Sequence, residues 1–100
     1  MIEYLYNAIR VTAGQDVIVT AYITDEDERI ITEGCHIMLY DKDRKTLLHT
    51  VDGVYHNENE YFEWIFTIPG ELTKELDGRY WYCICYHEKN LCFKEPIYFV

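Results

Sequence analysis

Serine is absent from this chain, and proline and glycine together number only seven in 100 residues. The first absence removes the commonest hydroxyl nucleophile, so covalent chemistry would fall to cysteine or threonine. The second leaves no glycine-rich phosphate loop, no linker composition and no low-complexity tract or repeat. Positive charge is also scarce. Nine Lys and Arg stand against 18 Asp and Glu, a net charge of −9, which repels phosphate backbones and anionic lipid at long range. Neither nucleic acid nor membrane is therefore expected as a partner. The opening MIEYLYNAIR has no basic n-region, apolar h-region or small-residue cleavage site, and nowhere do about 18 apolar residues run together. The expectation is a soluble protein made in the cytoplasm and not secreted by a signal peptide.

What is present is apolar and aromatic. Hydrophobic residues make up 49% of the chain and aromatics 16%, ten of them Tyr, enough for one domain over residues 1–100 to build a core without metal or disulfide. The organising stretch is YFEWIFTIPGELTKELDGRYWYCICY, residues 61–86. Phe62, Trp64, Phe66 and Ile68 alternate as one face of a strand, Pro69-Gly70 breaks it, residues 71–76 make a short helical turn, and a strand restarts at Arg79 after Asp77-Gly78. That is one corner of a sandwich, where the chain leaves one sheet and enters the other.

The remaining elements read as short strands. Residues 2–6 and 8–12 form two pieces of a first strand, and 16–24 a clear second with Val17, Val19, Ala21 and Ile23 inward. An acidic hairpin-type loop, 25–29, precedes a short 30–32. Residues 35–40 place Ile37 and Leu39 inward, and 41–44 turn to a strand over 46–51. Asp52-Gly53 turns again, residues 56–60 form a polar loop, and Glu88-Lys89-Asn90 closes a last hairpin into 91–100, with Pro96 arguing for an edge position. Seven to nine antiparallel strands, turning every 8 to 12 residues and carrying one helical turn, predict an all-β, immunoglobulin-like β-sandwich.

Gly78 two residues before Tyr80 fits a tyrosine corner, in which the phenol hydroxyl bonds the backbone of the preceding turn. Antibody domains carry a Cys two residues after that Tyr. Here the position is Tyr82, so their core disulfide is absent. With Tyr80, Tyr82, Ile84 and Tyr86 inward, Trp81, Cys83, Cys85 and His87 face out. So apolar an outer face predicts contact with another subunit, unless a loop covers it or the strand phase is swapped.

The reactive side chains suggest little chemistry. Cys83, Cys85 and His87 on one strand face span roughly 13 Å and do not close on one tetrahedral ion. Cys85 and Cys92 sit where the last hairpin could pair them, although a cytoplasmic chain favours free thiols. Cys35 reads as a small buried hydrophobe. Asp25, Glu26, Asp27 and Glu28, with Asp41 or Asp43, could meet calcium's need for oxygen ligands, whereas a solvated acidic turn accounts for them as well. His36, His49, His56 and His87 are scattered. No catalytic constellation and no cofactor are expected.

The segments GQDVIVTAYITDEDERIITEG and FTIPGELTKELDGRYWYCI carry a resemblance. Gly14, Asp16, Val17, Val19, Asp25, Asp27, Ile31 and Gly34, then Phe66, Ile68, Pro69, Thr73, Leu76, Gly78, Tyr80, Tyr82 and Ile84, match a pattern over roughly residues 13–86. It resembles the immunoglobulin-like domains of tailed-bacteriophage virion proteins, above all the N-terminal domains of baseplate upper and tail-fibre proteins. Glu28-Arg29 stand where the pattern has Gly after the acidic loop. The resemblance implies a non-enzymatic structural part of a virion, as a capsid decoration, neck, tail or baseplate component.

Two functions are then expected to compete. A virion subunit would dock in many copies onto other virion proteins through Trp81, Cys83, Cys85 and the C-terminal edge with Ile97, Phe99 and Val100. A recognition module would bind a host cell-surface glycan or protein through the loops 25–29 and 56–60, with Tyr55 and Tyr61 as its aromatics. The uncharged apolar C-terminus, read as an open edge, also predicts a homo-oligomer or an obligate partner.

Overall fold

The computed structural model describes the whole chain except residues 8 and 60 and the side chain of Tyr61. In chain order its strands are β1 (Ile2–Asn7), β2 (Arg10–Val11), β3 (Val17–Ile23), β4 (Cys35–Tyr40), β5 (Leu47–Asp52), β6 (Val54–Glu58), β7 (Tyr61–Ile68), β8 (Gly78–Tyr86), β9 (Lys89–Asn90) and β10 (Glu95–Phe99). One sheet runs β1-β3-β7-β6 and the other β2-β10-β8-β4-β5, with β9 alongside β8. This is the strand order of an immunoglobulin-like sandwich whose first strand changes sheets half-way. The expected start of the second strand piece at Ala8 and the end of the polar loop at Glu60 lie outside the described residues.

The alternation of side chains built both inner faces. Val17, Val19, Ala21 and Ile23 of β3, Trp64, Phe66 and Ile68 of β7, Cys35, Ile37 and Leu39 of β4, and Tyr80, Tyr82 and Ile84 of β8 are all buried in one cluster. Each large side chain removed from water there contributes about 1.5–3 kcal/mol. Trp64 stacks on Phe66 with ring centroids 5.9 Å apart and donates its indole N–H to the Ile31 carbonyl at 2.6 Å, so the core's largest ring is satisfied without a polar side chain.

At the corner, Pro69 ends β7 and a single 3-10 turn, Gly70–Leu72, replaces the longer helical turn expected over 71–76. Buried Thr73 ties this crossing to the turn before β3. Its hydroxyl accepts from the Gly14 N–H and lies 3.2 Å from both the Gln15 and Gly70 carbonyls, while the Asp16 carboxylate accepts from the Gly70 N–H at 2.7 Å. Gly78, at φ 98°, makes the turn into β8, and the Tyr80 hydroxyl accepts from the Asp77 N–H at 3.4 Å, closing the tyrosine corner.

Three expectations are corrected. Residues 54–58 form β6, which pairs with β7 throughout; its polar residues belong to a sheet-edge strand, not to a loop. Asp52-Gly53 is thus a crossing between sheets, and Gly53 is needed because any Cβ there would run into the Phe66 ring. The last strand is also not an open edge along its length. β2 pairs parallel with Tyr98 and Phe99, and the N–H and carbonyl of Val100 both bond the chain at Val11 and Ala13, so among the described residues only the half containing Pro96 is uncovered. The parallel pairing departs from the all-antiparallel expectation because the sheet-switching first strand runs the same way as the last.

Candidate docking face and sulfur cluster

The outer face of the β2-β10-β8-β4-β5 sheet gathers the residues on which the docking expectation rested. β8 contributes Arg79, Trp81, Cys83 and Cys85, and β4 brings Tyr40 opposite Trp81 and Met38 opposite Cys83. Trp81 is half-buried, with the Arg44 guanidinium 4.1 Å and the Arg79 guanidinium 4.9 Å from its ring centre. Lys94 lies over the Tyr40 ring at 4.0 Å and donates to the Arg44 carbonyl. Stacking on aromatic faces holds these cations while leaving N–H groups free to bind. Among the described residues, the one Lys or Arg ion pair joins Lys89 to Glu26, and His56 contacts Glu58, so none of Arg44, Arg79 and Lys94 is neutralised by an acid.

A tight turn positions Arg44. Its own φ is 64°, its N–H donates to the Asp41 carbonyl at 2.9 Å, and the Asp43 carboxylate accepts from the Lys45 and Thr46 N–H groups, each at 2.9 Å, and from the Thr46 hydroxyl. The Thr46 hydroxyl, helped by those N–H groups, lowers the Asp43 pKa to about 2.

Beneath Trp81 lies a second, smaller core. Cys83 and Cys85 are 0% and 1% exposed and pack with Tyr40 among Met38, Trp81 and Cys92. The cover comes from an irregular passage between β9 and β10. Asn90 faces Cys85 but Glu95 faces Tyr82, so the strand carries two extra residues there. This excursion swings Cys92 against the cluster, places Lys94 on the outer face and leaves Phe93 91% exposed. The sulfurs crowd together. Cys83 and Cys85 Sγ are 4.0 Å apart, and Cys85 Sγ is 3.1 Å from Met38 Sδ and 2.9 Å from Asn90 Oδ1. The contact with Cys85, with Tyr40 and Lys94 adding to it, lowers the Cys83 pKa to about 7; the contact with Cys83 and burial raise that of Cys85. Cys92 is engaged elsewhere, 3.1 Å from the Tyr4 hydroxyl and accepting from the Ile84 N–H. All four cysteines are free thiols, so Cys85 and Cys92 are not paired.

The strand phase of β8 is as expected, but its outward cysteines are covered within the monomer. Cys83 and Cys85 are therefore unavailable as docking residues, and so are Ile97 and Phe99, at 0% and 1% exposure, whose phase on β10 sends them into the core. The residues that do face out are Trp81 in part, Tyr98 at 41% and Val100 at 54%. His87 lies apart from the sulfurs, its ring 4.3 Å from that of Tyr86. Among the described residues no three His, Cys, Asp or Glu side chains gather as metal ligands, and no helix is long and apolar enough to cross a membrane.

Sequence reasoning missed the cationic frame, because Arg44 and Lys94 reach Trp81 and Tyr40 from outside β8. It also missed exposed apolar residues on the other sheet, where Tyr6, Ile18 and Val54 stand out. Ile18 in the outward phase of β3 was their only signal. At one end of the sandwich a cleft of about 310 Å³ is lined by Asp25, Glu26, Asp27, Tyr86 and Lys89 among others. No known protein family and no curated protein matches the chain.

Proposed function

We propose that this protein is a non-enzymatic structural subunit of a tailed-bacteriophage virion, docking in multiple copies onto a capsid, neck, tail or baseplate assembly. The reading rests on the residue pattern over roughly residues 13–86, and the docking surface on one observation: half-exposed Trp81 framed by Arg44 and Arg79 with Lys94 beside them. On a chain of net charge −9, a Trp surrounded by unpaired cations suits an acidic surface on another virion protein, and Trp and Arg are the residues that anchor interfaces.

The test is co-sedimentation of the purified protein with phage particles, with size-exclusion chromatography and light scattering of the protein alone. The double variant Arg44→Glu/Arg79→Glu should abolish particle binding while keeping the wild-type melting profile. Trp81→Asp should do the same, but Trp81 also covers the sulfur cluster, so the arginine pair is the cleaner probe. Unaltered particle binding by the folded arginine variant would overturn the docking face, and no binding by the wild type would overturn the virion reading. The alternative, recognition of a host glycan or protein through the end loops, draws on the acidic cleft beside residues 25–27; of its two expected loops only the first remains, since residues 54–58 are in β6.

A further inference from the structure

The sulfurs on the outer face of β8 lie closer together than their strand positions require. Residues two apart on a strand have Cα atoms about 6.6 Å apart, yet the Cys83 and Cys85 Sγ atoms stand 4.0 Å from each other. Met38, from the neighbouring strand β4, adds its thioether 3.1 Å from Cys85 Sγ. The Cys85 thiol has one hydrogen, while Cys83 Sγ, Met38 Sδ and Asn90 Oδ1 all lie around it as acceptors. Two further sulfurs thus gather around the buried Cys85 Sγ.

We propose that Cys83, Cys85 and Met38 form a copper(I) site, the ion sitting between the three sulfurs in place of the thiol hydrogens. Two thiolates and a thioether are the soft donors that select this ion. A metal–thiolate bond of about 2.3 Å, the length zinc shows, separates two sulfurs of a three-coordinate centre by about 4 Å, which the cysteine pair already meets. The Met38 contact must open by under about 1 Å, within reach of a side chain with three rotatable bonds. Zinc is the wrong ion here, because it takes four nitrogen, sulfur or oxygen ligands and no third His, Cys, Asp or Glu joins the pair as a ligand among the described residues. Binding releases both thiol protons and moves no electrons. The bound centre carries one negative charge, under the cations of Lys94 and Arg44. Tyr40, Trp81 and Cys92 pack around the cysteine pair and limit its contact with water and oxidants.

The experiment is an anaerobic titration of the fully reduced protein with copper(I) against a chromophoric copper(I) chelator, followed by X-ray absorption at the copper edge. One copper per chain with sulfur-only coordination is expected. Cys83→Ser and Cys85→Ser should each weaken binding by more than the 10- to 100-fold typical of losing an outer-shell partner, and Met38→Leu by about tenfold. Cys35→Ala, a buried thiol outside the cluster, should leave affinity unchanged. Thermal melts of the metal-free variants check folding, and copper should raise the melting temperature of the wild type and of Cys35→Ala but not of the Cys83→Ser/Cys85→Ser variant. The proposal is overturned if the wild type fails to compete with the chelator, if a folded Cys83→Ser/Cys85→Ser variant binds as well as wild type, or if zinc is preferred over copper. None of these readouts depends on particle binding, so this site and the docking reading stand or fall separately.

Discussion

Tyr82 occupies the place where antibody domains put half of their core disulfide, and it fills that space with a ring instead of a bond. Its ring meets Tyr4 edge-on at 6.2 Å, and its hydroxyl, fully enclosed, has no hydrogen-bond partner among the described residues. Burial raises the phenol's pKa to about 12, with the Asn7 side chain pulling the other way without reaching hydrogen-bond geometry. A buried hydroxyl without a partner is a liability. Tyr82→Phe should therefore stabilise the fold by about 1 kcal/mol in chemical denaturation; a loss of that size would place Asn7 on the hydroxyl. The same group carries a pH dependence. Its folded pKa lies above the ordinary value of 10.0, so its contribution is full below about pH 10 and is lost as pH rises through about 12, at roughly 2–3 kcal/mol. Tyr82→Phe should flatten the alkaline limb of the stability profile by that amount, leaving what Tyr4 and Tyr40, also raised mainly by burial, supply.

Among the elements, the turn over residues 41–46 carries the most consequence for its length. It joins β4 to β5 and aims Arg44 across the sheet at Trp81. Asp43 holds it through three acceptor bonds, and the depressed pKa, about 2 against 3.8, marks how much they favour the ionised carboxylate. The sign follows directly. The order Asp43 lends the turn is full above about pH 4 and fades as pH falls through 2, where the carboxylate takes up a proton. On acidification the amide resonances of Lys45 and Thr46 should move together in that window, and Trp81 fluorescence should follow as Arg44 loses its perch. Asp43→Ala should show the disordered turn at neutral pH and abolish the acid transition. The excursion between β9 and β10 is the complementary element, since its two extra residues convert an apolar outer face into a covered one.

For the whole molecule, charge is distributed unevenly. Acids outnumber bases two to one, yet Arg44 and Arg79 frame Trp81 and Lys94 covers neighbouring Tyr40 on one sheet face. A contact built on these exposed cations must weaken with salt, because the screening length falls from about 10 Å at 0.1 M to about 3 Å at 1 M. Particle binding should accordingly drop several-fold between about 0.05 and 0.5 M NaCl, with the loss mainly in association rate. An interface made through the exposed apolar residues Tyr6, Ile18 and Val54 would be indifferent or strengthened. The pairing of β10 with β2 shortens the open edge that argued for a homo-oligomer, so under the proposed docking role multiplicity would come from the particle's repeated sites.

Much of the architecture was legible in the residues themselves. Alternation with period two named the inner faces of β3, β4, β7 and β8, because each of those strands has one wall on the core and a one-residue slip would invert every side chain. The break at Pro69-Gly70 and the Gly78–Tyr80 corner were equally readable, since their backbone demands are local. β6 was hidden because an edge strand can be polar like a loop, and the cover over Cys83 and Cys85 because it depends on a two-residue offset between strands. The spacing of Cα atoms along β8 argued against a metal, whereas the sulfur positions are set by rotamers and by Met38 from the next strand. Local backbone chemistry and burial pattern were thus determined by the sequence alone. Which outward side chains meet water, which cations frame Trp81 and which sulfurs converge were decided by tertiary structure, because they depend on the register between strands distant in the chain.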